Sequence, residues 1–340
     1  MGMRVIYNLN TRDLANIPEE ARWAEAMGYD GLASNETSHD PFFPLLLAAT
    51  STSHVTLETR VAIAFPRSPM VVAYAARDLQ DFSRGRFRLG LGTQVRGHNE
   101  RRFSVHWVSP GRRLREYIQA LHAIWDNWQE GKKLDFQGQF YTFTLMTPFF
   151  SPGSGPYPKP PVYISAVNPY NCRVAGGVCD GLALHPLNSP KYLREVIMPN
   201  VAKGAQRAGR SLKEIKVSGG GFIITGPDRQ SIEAQKEAVR RQIAFYGSTS
   251  AYFPVLEAHG FQEVGQRLRE MSLKGEWNEM GRQVSDDMLD TFAIMGEYDE
   301  VAWKVKERYG DVLDEVIFHI EVSRSGDQEA LKKIIQELKS

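Results

Sequence analysis

Short apolar runs rich in β-branched residues alternate along the chain with longer stretches whose apolar residues recur every three or four positions. Period-two or continuous apolar runs read as strands, and the three-to-four spacing reads as amphipathic helices. The strand-like runs are 4–9, 31–34, 55–64 (VTLETRVAIA), 86–92 (RFRLGLG), PPVYISAV, GLALHP, IKVSGGGFIIT and EVIFHI. Helical patterns follow them. Over Arg112–Gln129, for instance, Leu114, Ile118, Leu121 and Trp125 share one face. Asn16 stands where an N-cap is expected, with Pro18 in the first turn behind it. Eight strand–helix units imply a parallel sheet, and that number favours a closed (β/α)8 TIM barrel over an open doubly wound sheet.

An ordinary barrel leaves about 90 residues over. They are expected as insertions near 135–160 and 247–291 of a single domain spanning 1–340. The first is rich in Phe, Tyr, Gly and Pro, too apolar for a linker, and is expected to fold over the barrel.

Composition then narrows the class. Lys plus Arg number 41 against 40 Asp plus Glu, a balance of +1. That argues against nonspecific nucleic-acid binding and against a polybasic membrane anchor. The best uncharged stretch, Pro41 to Leu57, is broken by Pro44 and a Thr/Ser/His run, so no membrane span is expected. Cys172 and Cys179 are the only cysteines. They fit neither a disulfide scaffold nor a zinc motif, read as small buried apolar residues, and suggest a reducing cytoplasm.

In a parallel barrel, chemistry gathers at the carboxyl ends of the strands. The second strand empties into Asn35, Glu36, Ser38, His39 and Asp40. The third leads to Phe65, Pro66 and Arg67, and the fourth to Thr93, Gln94, Arg96 and His98, with Arg101 and Arg102 beyond. The fifth leads to Asn168, the sixth to His185 and the eighth to His319 and Glu321. Singly these are ordinary loop residues. Four of eight strands ending in His or Glu point to a ligand site on that face. The GLG at Gly90–Gly92 is not a dinucleotide fingerprint, because the third glycine would stand at position 95, which is Val95, and the next glycine is Gly97. No P-loop and no HExxH metal motif occurs.

At these residues the sequence resembles the bacterial luciferase-like monooxygenase superfamily, over nearly the whole chain. The resemblance rests on SNETSHDPFFPL, TRVAIAFPRSP, SRGRFRLGLGTQV, RRLREYIQALHAIW, PPVYISAVNPYNCRVAGGVCDGLALHP and MGEYDEVAWKVKERYG in that order. Within it, TQVRGHNERRF, the long helix and the tail are most similar to coenzyme F420-dependent oxidoreductases.

The resemblance implies a (β/α)8 protein binding coenzyme F420 or FMN. It implies a non-prolyl cis peptide joining Val61 and Ala62 beneath the deazaflavin, with Gly92 and Thr93 beside the ring. Ser165, Ala166, Val167, Asn168 and His185 would meet the cofactor tail and phosphate. Two departures matter. Glu36 stands where many members have a ring-facing His, with His39 three residues later. Val95 replaces the Glu of the sugar-phosphate dehydrogenases, so that substrate class is not expected.

The leading expectation is hydride transfer between F420 and an organic substrate, with Glu36 and His39 as catalytic proton-handling candidates and no metal. Phe42, Phe43 and Trp107 are their expected apolar neighbours. The alternative is an FMN-dependent monooxygenase using reduced flavin and O2, and a third reading is a flavin-binding barrel without catalysis. The expected partners are a small-molecule substrate and a second copy of the chain. A flavin or F420 reductase enters only as supplier of a diffusible cofactor.

Overall fold

The structure is a computed structural model that describes residues 2–320, 322 and 326–340. Its strands are β1 (Arg4–Asn8), β2 (Gly31–Ser34), β3 (Thr56–Thr59), β4 (Ala62–Ile63), β5 (Phe87–Gly92), β6 (Phe136–Gln137), β7 (Thr142–Phe143), β8 (Val162–Ser165), β9 (Gly181–Ala183), β10 (Lys216–Gly219), β11 (Phe222–Gly226), β12 (Ala293–Glu297) and β13 (Glu315–Ile317). Helices α1 (Ile17–Met27), α2 (Phe42–Ser51), α3 (Pro69–Phe82), α4 (Arg96–Arg101), α5 (Pro110–Glu130) and α6 (Pro169–Val178) follow the early strands. The later ones are α7 (Pro190–Tyr192), α8 (Met198–Arg207), α9 (Arg229–Gly247), α10 (Phe253–Glu257), α11 (Gln262–Lys274), α12 (Asp286–Phe292), α13 (Val301–Tyr309) and α14 (Asp327–Lys339).

The strands close into an eight-stave parallel barrel, as the count of units predicts. The order runs β3-β2-β1-β13-β10-β9-β8-β5, and β5 pairs back onto β3. β3 and β4 form one interrupted stave, since both pair with β5: Leu57 faces Phe87 and Ala62 faces Leu91. The run 55–64 was expected as a single strand.

Alternation sorts each strand between barrel axis and helix layer. On β5, Phe87, Leu89 and Leu91 join the apolar core with Trp125, Ile118 and Leu121 of α5. Arg88 instead reaches Glu315 inside the barrel. Cys172 and Cys179 are free and buried, as expected.

The run IKVSGGGFIIT also departs from a single strand. β10 ends at Gly219, where a Cβ would stand 2.5 Å from the Leu184 Cβ. Gly220 and Gly221 then take φ of +139° and +88°, backbone that side-chain-bearing residues rarely adopt. The chain leaves the barrel there, and β11 pairs outside it with β12, Phe222 facing Ala293. The segment AIMGE of β12 is too short to carry a period that marks it as a strand in the sequence. Among the described residues no helix is long and apolar enough to cross a membrane. Glu321 lies outside the described residues.

Candidate active site

Glu36 follows β2 and reaches across to the stave beside it. Its Oε2 accepts from the Ile63 N–H at 2.7 Å, and Arg67 Nη1 donates to Oε2 at 2.7 Å and to Oε1 at 3.0 Å. The other arm of Arg67 donates to Asp40 Oδ2 at 2.8 Å, and its guanidinium lies 5.6 Å from the Phe42 ring centroid. Burial opposes charge on Arg67, but Glu36 and Asp40 outweigh it and raise its pKa above the ordinary value. His39 sits three residues on, exposed. It does not cap α2; the Phe42 N–H donates instead to Asp40 Oδ1 at 2.8 Å. Of the expected apolar neighbours, Phe43 is exposed and Trp107 packs edge-on to Phe65 at 6.2 Å.

The non-prolyl cis peptide joins Arg60 to Val61, one bond before the expected Val61–Ala62. The expectation fails because Ala62 is already in the ladder opposite Leu91, so the interruption of the stave falls before it. Val61 then lies against β5. A Cβ on Gly92 would meet Val61 Cγ2 at 2.7 Å and Ser165 Cβ at 3.9 Å; one on Gly90 would meet the Thr59 carbonyl oxygen at 2.0 Å. Only glycine fits these two places, so Val61, Gly92 and Ser165 form a shelf at the barrel mouth. Thr93 continues from it. The buried Asn99 amide donates to the Thr93 carbonyl at 2.8 Å and to the Val95 carbonyl at 3.1 Å, fixing that turn.

Past β8, Ser165, Ala166 and Val167 lead to Asn168, whose Oδ1 caps α6 by accepting from the Asn171 N–H at 2.9 Å. Past β9, His185 Nδ1 accepts from the Leu187 N–H at 3.0 Å. Tyr246 and Tyr252 close over its ring, each at 4.4 Å between centroids. Burial pushes His185 down to about 3, so the ring is neutral at physiological pH. Among the polar atoms buried without a partner are Asn8 Oδ1 at the end of β1 and Ser34 Oγ at the end of β2.

The expected arginine rim divides. Arg96 pairs with Glu100, while Arg102 donates to the Thr37 carbonyl and ties the loop after β5 to the loop after β2. His319 packs on the Tyr7 ring at 5.1 Å. Sequence reasoning missed Arg113, Tyr117 and Tyr141. Arg113 Nε donates to the Tyr141 hydroxyl at 2.9 Å, and its guanidinium lies 4.6 Å from the Phe65 ring centroid. The signal was the position of Arg113 in the first turn of a helix entering from the fourth strand's carboxyl end. Two surface clefts of about 510 and 500 Å³ lie elsewhere, beside Arg194 and Arg308 and beside Met27 and Lys339. Neither borders the shelf, so chemistry rather than cleft size locates this site.

The luciferase-like monooxygenase family model matches residues 4–315. An uncharacterised protein of Mycobacterium tuberculosis is 44% identical over 326 residues, 96% of this chain and 95% of its own. The 5,10-methylenetetrahydromethanopterin reductase of Archaeoglobus fulgidus is 27% identical over 291 residues, 84% of this chain and 83% of its own. The solved coenzyme F420 dependent tetrahydromethanopterin reductase of Methanopyrus kandleri superposes with a TM-score of 0.79 at 22% identity, covering 99% of this chain and 98% of that one, a likeness of fold. By the extent of the family match, this chain belongs to the luciferase-like monooxygenase family.

Proposed function

We propose that this protein is a coenzyme F420-dependent oxidoreductase that moves a hydride between the deazaflavin and an organic substrate. The observation that carries the choice of cofactor is the similarity, over 84% of the chain, to a methylenetetrahydromethanopterin reductase, an enzyme type whose solved example is described as F420 dependent. The residues at the mouth suit a flat ring with an anionic tail. On the shelf of Val61, Gly92 and Ser165, Gly92 leaves a place without a Cβ, with Ala62 and Thr93 continuing the two strands beside it. The Ser165–Asn168 turn leads into the amino end of α6, where backbone N–H groups favour phosphate. His185, being neutral, offers that tail a ring edge rather than a charge. The buried Asn8 Oδ1 and Ser34 Oγ are acceptors with no protein partner. When bound, the deazaflavin supplies a carbon that carries a hydride and reacts poorly with oxygen.

The chain's own part is to position, exclude water and handle one proton. Both Glu36 oxygens are occupied by Arg67. The proposed part of Glu36 is to hold Arg67 and the Ile63 backbone in place. His39, open to solvent, is proposed to exchange the proton. A cytoplasmic location, a homodimer and a single barrel domain belong to the same reading.

The family description as a monooxygenase favours a second reading, FMN-dependent oxygenation with reduced flavin delivered by a reductase. Side-by-side spectroscopic titration with F420 and FMN separates the two. Submicromolar binding of F420 with much weaker FMN binding is expected; tight FMN binding without F420 binding would reverse the assignment.

A further inference from the structure

α5 descends from the loop after β5, so its first turns stand level with the carboxyl ends of the strands. Arg113 in that first turn is half-buried between two rings, its guanidinium carbon 4.6 Å from the Phe65 centroid and 5.6 Å from that of Tyr141. Beyond its bond to the Tyr141 hydroxyl it donates, among the described residues, only to the His106 carbonyl, at 3.2 Å. A guanidinium has five N–H groups, so three are left over. Arg67 nearby is neutralised by two carboxylates, whereas no carboxylate pairs with Arg113 among the described residues.

Beneath it lies Tyr117, fully buried, its ring edge-on to Tyr141 at 5.5 Å. Among the described residues the Tyr117 hydroxyl has no hydrogen-bond partner, and it lies within electrostatic reach of both Arg67 and Arg113. An orphaned buried hydroxyl costs free energy unless something completes it. Here are an unpaired cation, an unused donor and flat apolar walls of Phe65 and Trp107, all beside the mouth.

We propose that Arg113 and Tyr117 form a substrate subsite that recognises the carboxylate of a planar organic molecule. Two guanidinium N–H groups would meet the carboxylate side by side, and the Tyr117 hydroxyl would donate to it. The aromatic walls would flank the ring and keep water from competing with the charge. Tyr141 comes from the first insertion, so that insertion would set substrate choice. The proposal rests on the carboxyl-end face being the active site.

Benzoate and its neutral isostere benzamide test it by calorimetric titration of the intact protein. Benzoate is expected to bind saturably, with benzamide about tenfold weaker or worse, because the amide forfeits the charge-assisted pair. Arg113→Gln is expected to abolish the preference, and Arg113→Lys, which keeps the charge, to retain part of it. Equal binding of the two probes, no saturable benzoate binding, or unchanged benzoate preference in Arg113→Gln would overturn the proposal. So would loss of F420 affinity in Arg113→Gln with benzoate binding intact, which assigns the arginine to the cofactor. If the wild type failed to bind F420 while its benzoate preference still required Arg113, the cofactor reading would fall and the subsite would stand.

Discussion

His185 is kept neutral by its surroundings, since the Leu187 N–H donates to Nδ1 and two tyrosines exclude water from the ring. Its folded pKa of about 3 lies below the ordinary 6.5, so the unfolded chain takes up a proton that the native state resists. The stability this site contributes is therefore present above about pH 6.5 and lost as pH falls toward about 3. His185→Phe keeps an aromatic ring and removes the titration. Urea unfolding between neutral pH and about pH 4 should show a stability slope shallower by up to about 1.4 kcal/mol per pH unit in the variant. Identical slopes would mean the ring is protonated in the folded protein. At this scale the sequence reveals which side chains end the strands but not what they meet. His185 is visible after GLALHP, yet Tyr246 and Tyr252 lie some 60 residues on, in segments with no link to it in the pattern. Glu36 is visible too, but whether it faces a ligand or Arg67 depends on a loop conformation that periodicity does not encode.

Single glutamates fasten whole elements to one another. Glu116 on α5 accepts from three consecutive backbone N–H groups of the first insertion, Gln139 at 2.9 Å, Phe140 at 2.6 Å and Tyr141 at 2.7 Å. Glu25 on α1 does the same for the approach to β3, accepting from Ser53, His54 and Val55. Burial tends to raise the Glu25 pKa, but those backbone donors outweigh it and hold it below the usual carboxylate value. A charged acceptor is worth about 1.5–3 kcal/mol per bond, so Glu116→Ala should free the hairpin of β6 and β7 from α5. Hydrogen exchange at residues 139–141 should accelerate by about tenfold or more while the amides of β5 and β8 keep their protection. Unchanged exchange at 139–141 would mean that the Arg113–Tyr141 contact alone holds the insertion. The long α5 was legible because its apolar residues recur over five turns. β12 was not, because five residues between a helix and a turn carry no period of their own. Its partner β11 lies about 70 residues away and runs on in the sequence from a barrel strand with only glycines between. The break before β11 depends on positive φ at Gly220 and Gly221, which a glycine run permits but does not announce.

The closed barrel follows from counting strand–helix units, yet its interior is not the apolar filling that strand composition suggests. Glu58 on β3, Arg60 just past its end, Arg88 on β5 and Glu315 on β13 read in the sequence as one solvated face. Barrel closure turns that face inward. Arg88 Nη1 donates to both oxygens of Glu315, at 2.7 and 2.8 Å, and stands 3.6 Å from Glu58. Its guanidinium also lies 5.3 Å from the Tyr163 ring centroid. Arg4 closes the far side of Glu315 at 2.8 Å, and Arg60 joins Glu58 at 3.2 Å to Ser218 at 3.1 Å. Burial is the largest influence on Glu58 and raises its pKa, with the nearby Glu315 adding to it against the pull of Arg60 and Arg88. Such a network is weak support for net stability, since desolvation offsets much of the attraction. Breaking it is another matter. Arg88→Met would leave Glu58 and Glu315 facing each other across the barrel with one partner fewer, and should cost about 3–5 kcal/mol in urea unfolding. Adding Glu315→Gln should restore part of that loss, because it removes the charge that Arg88 had balanced. A single variant as stable as the wild type would show that one carboxyl takes up a proton when the arginine is gone. The unfolding free energy of Arg88→Met would then rise relative to wild type as pH is lowered, and the neutral double variant would not follow it.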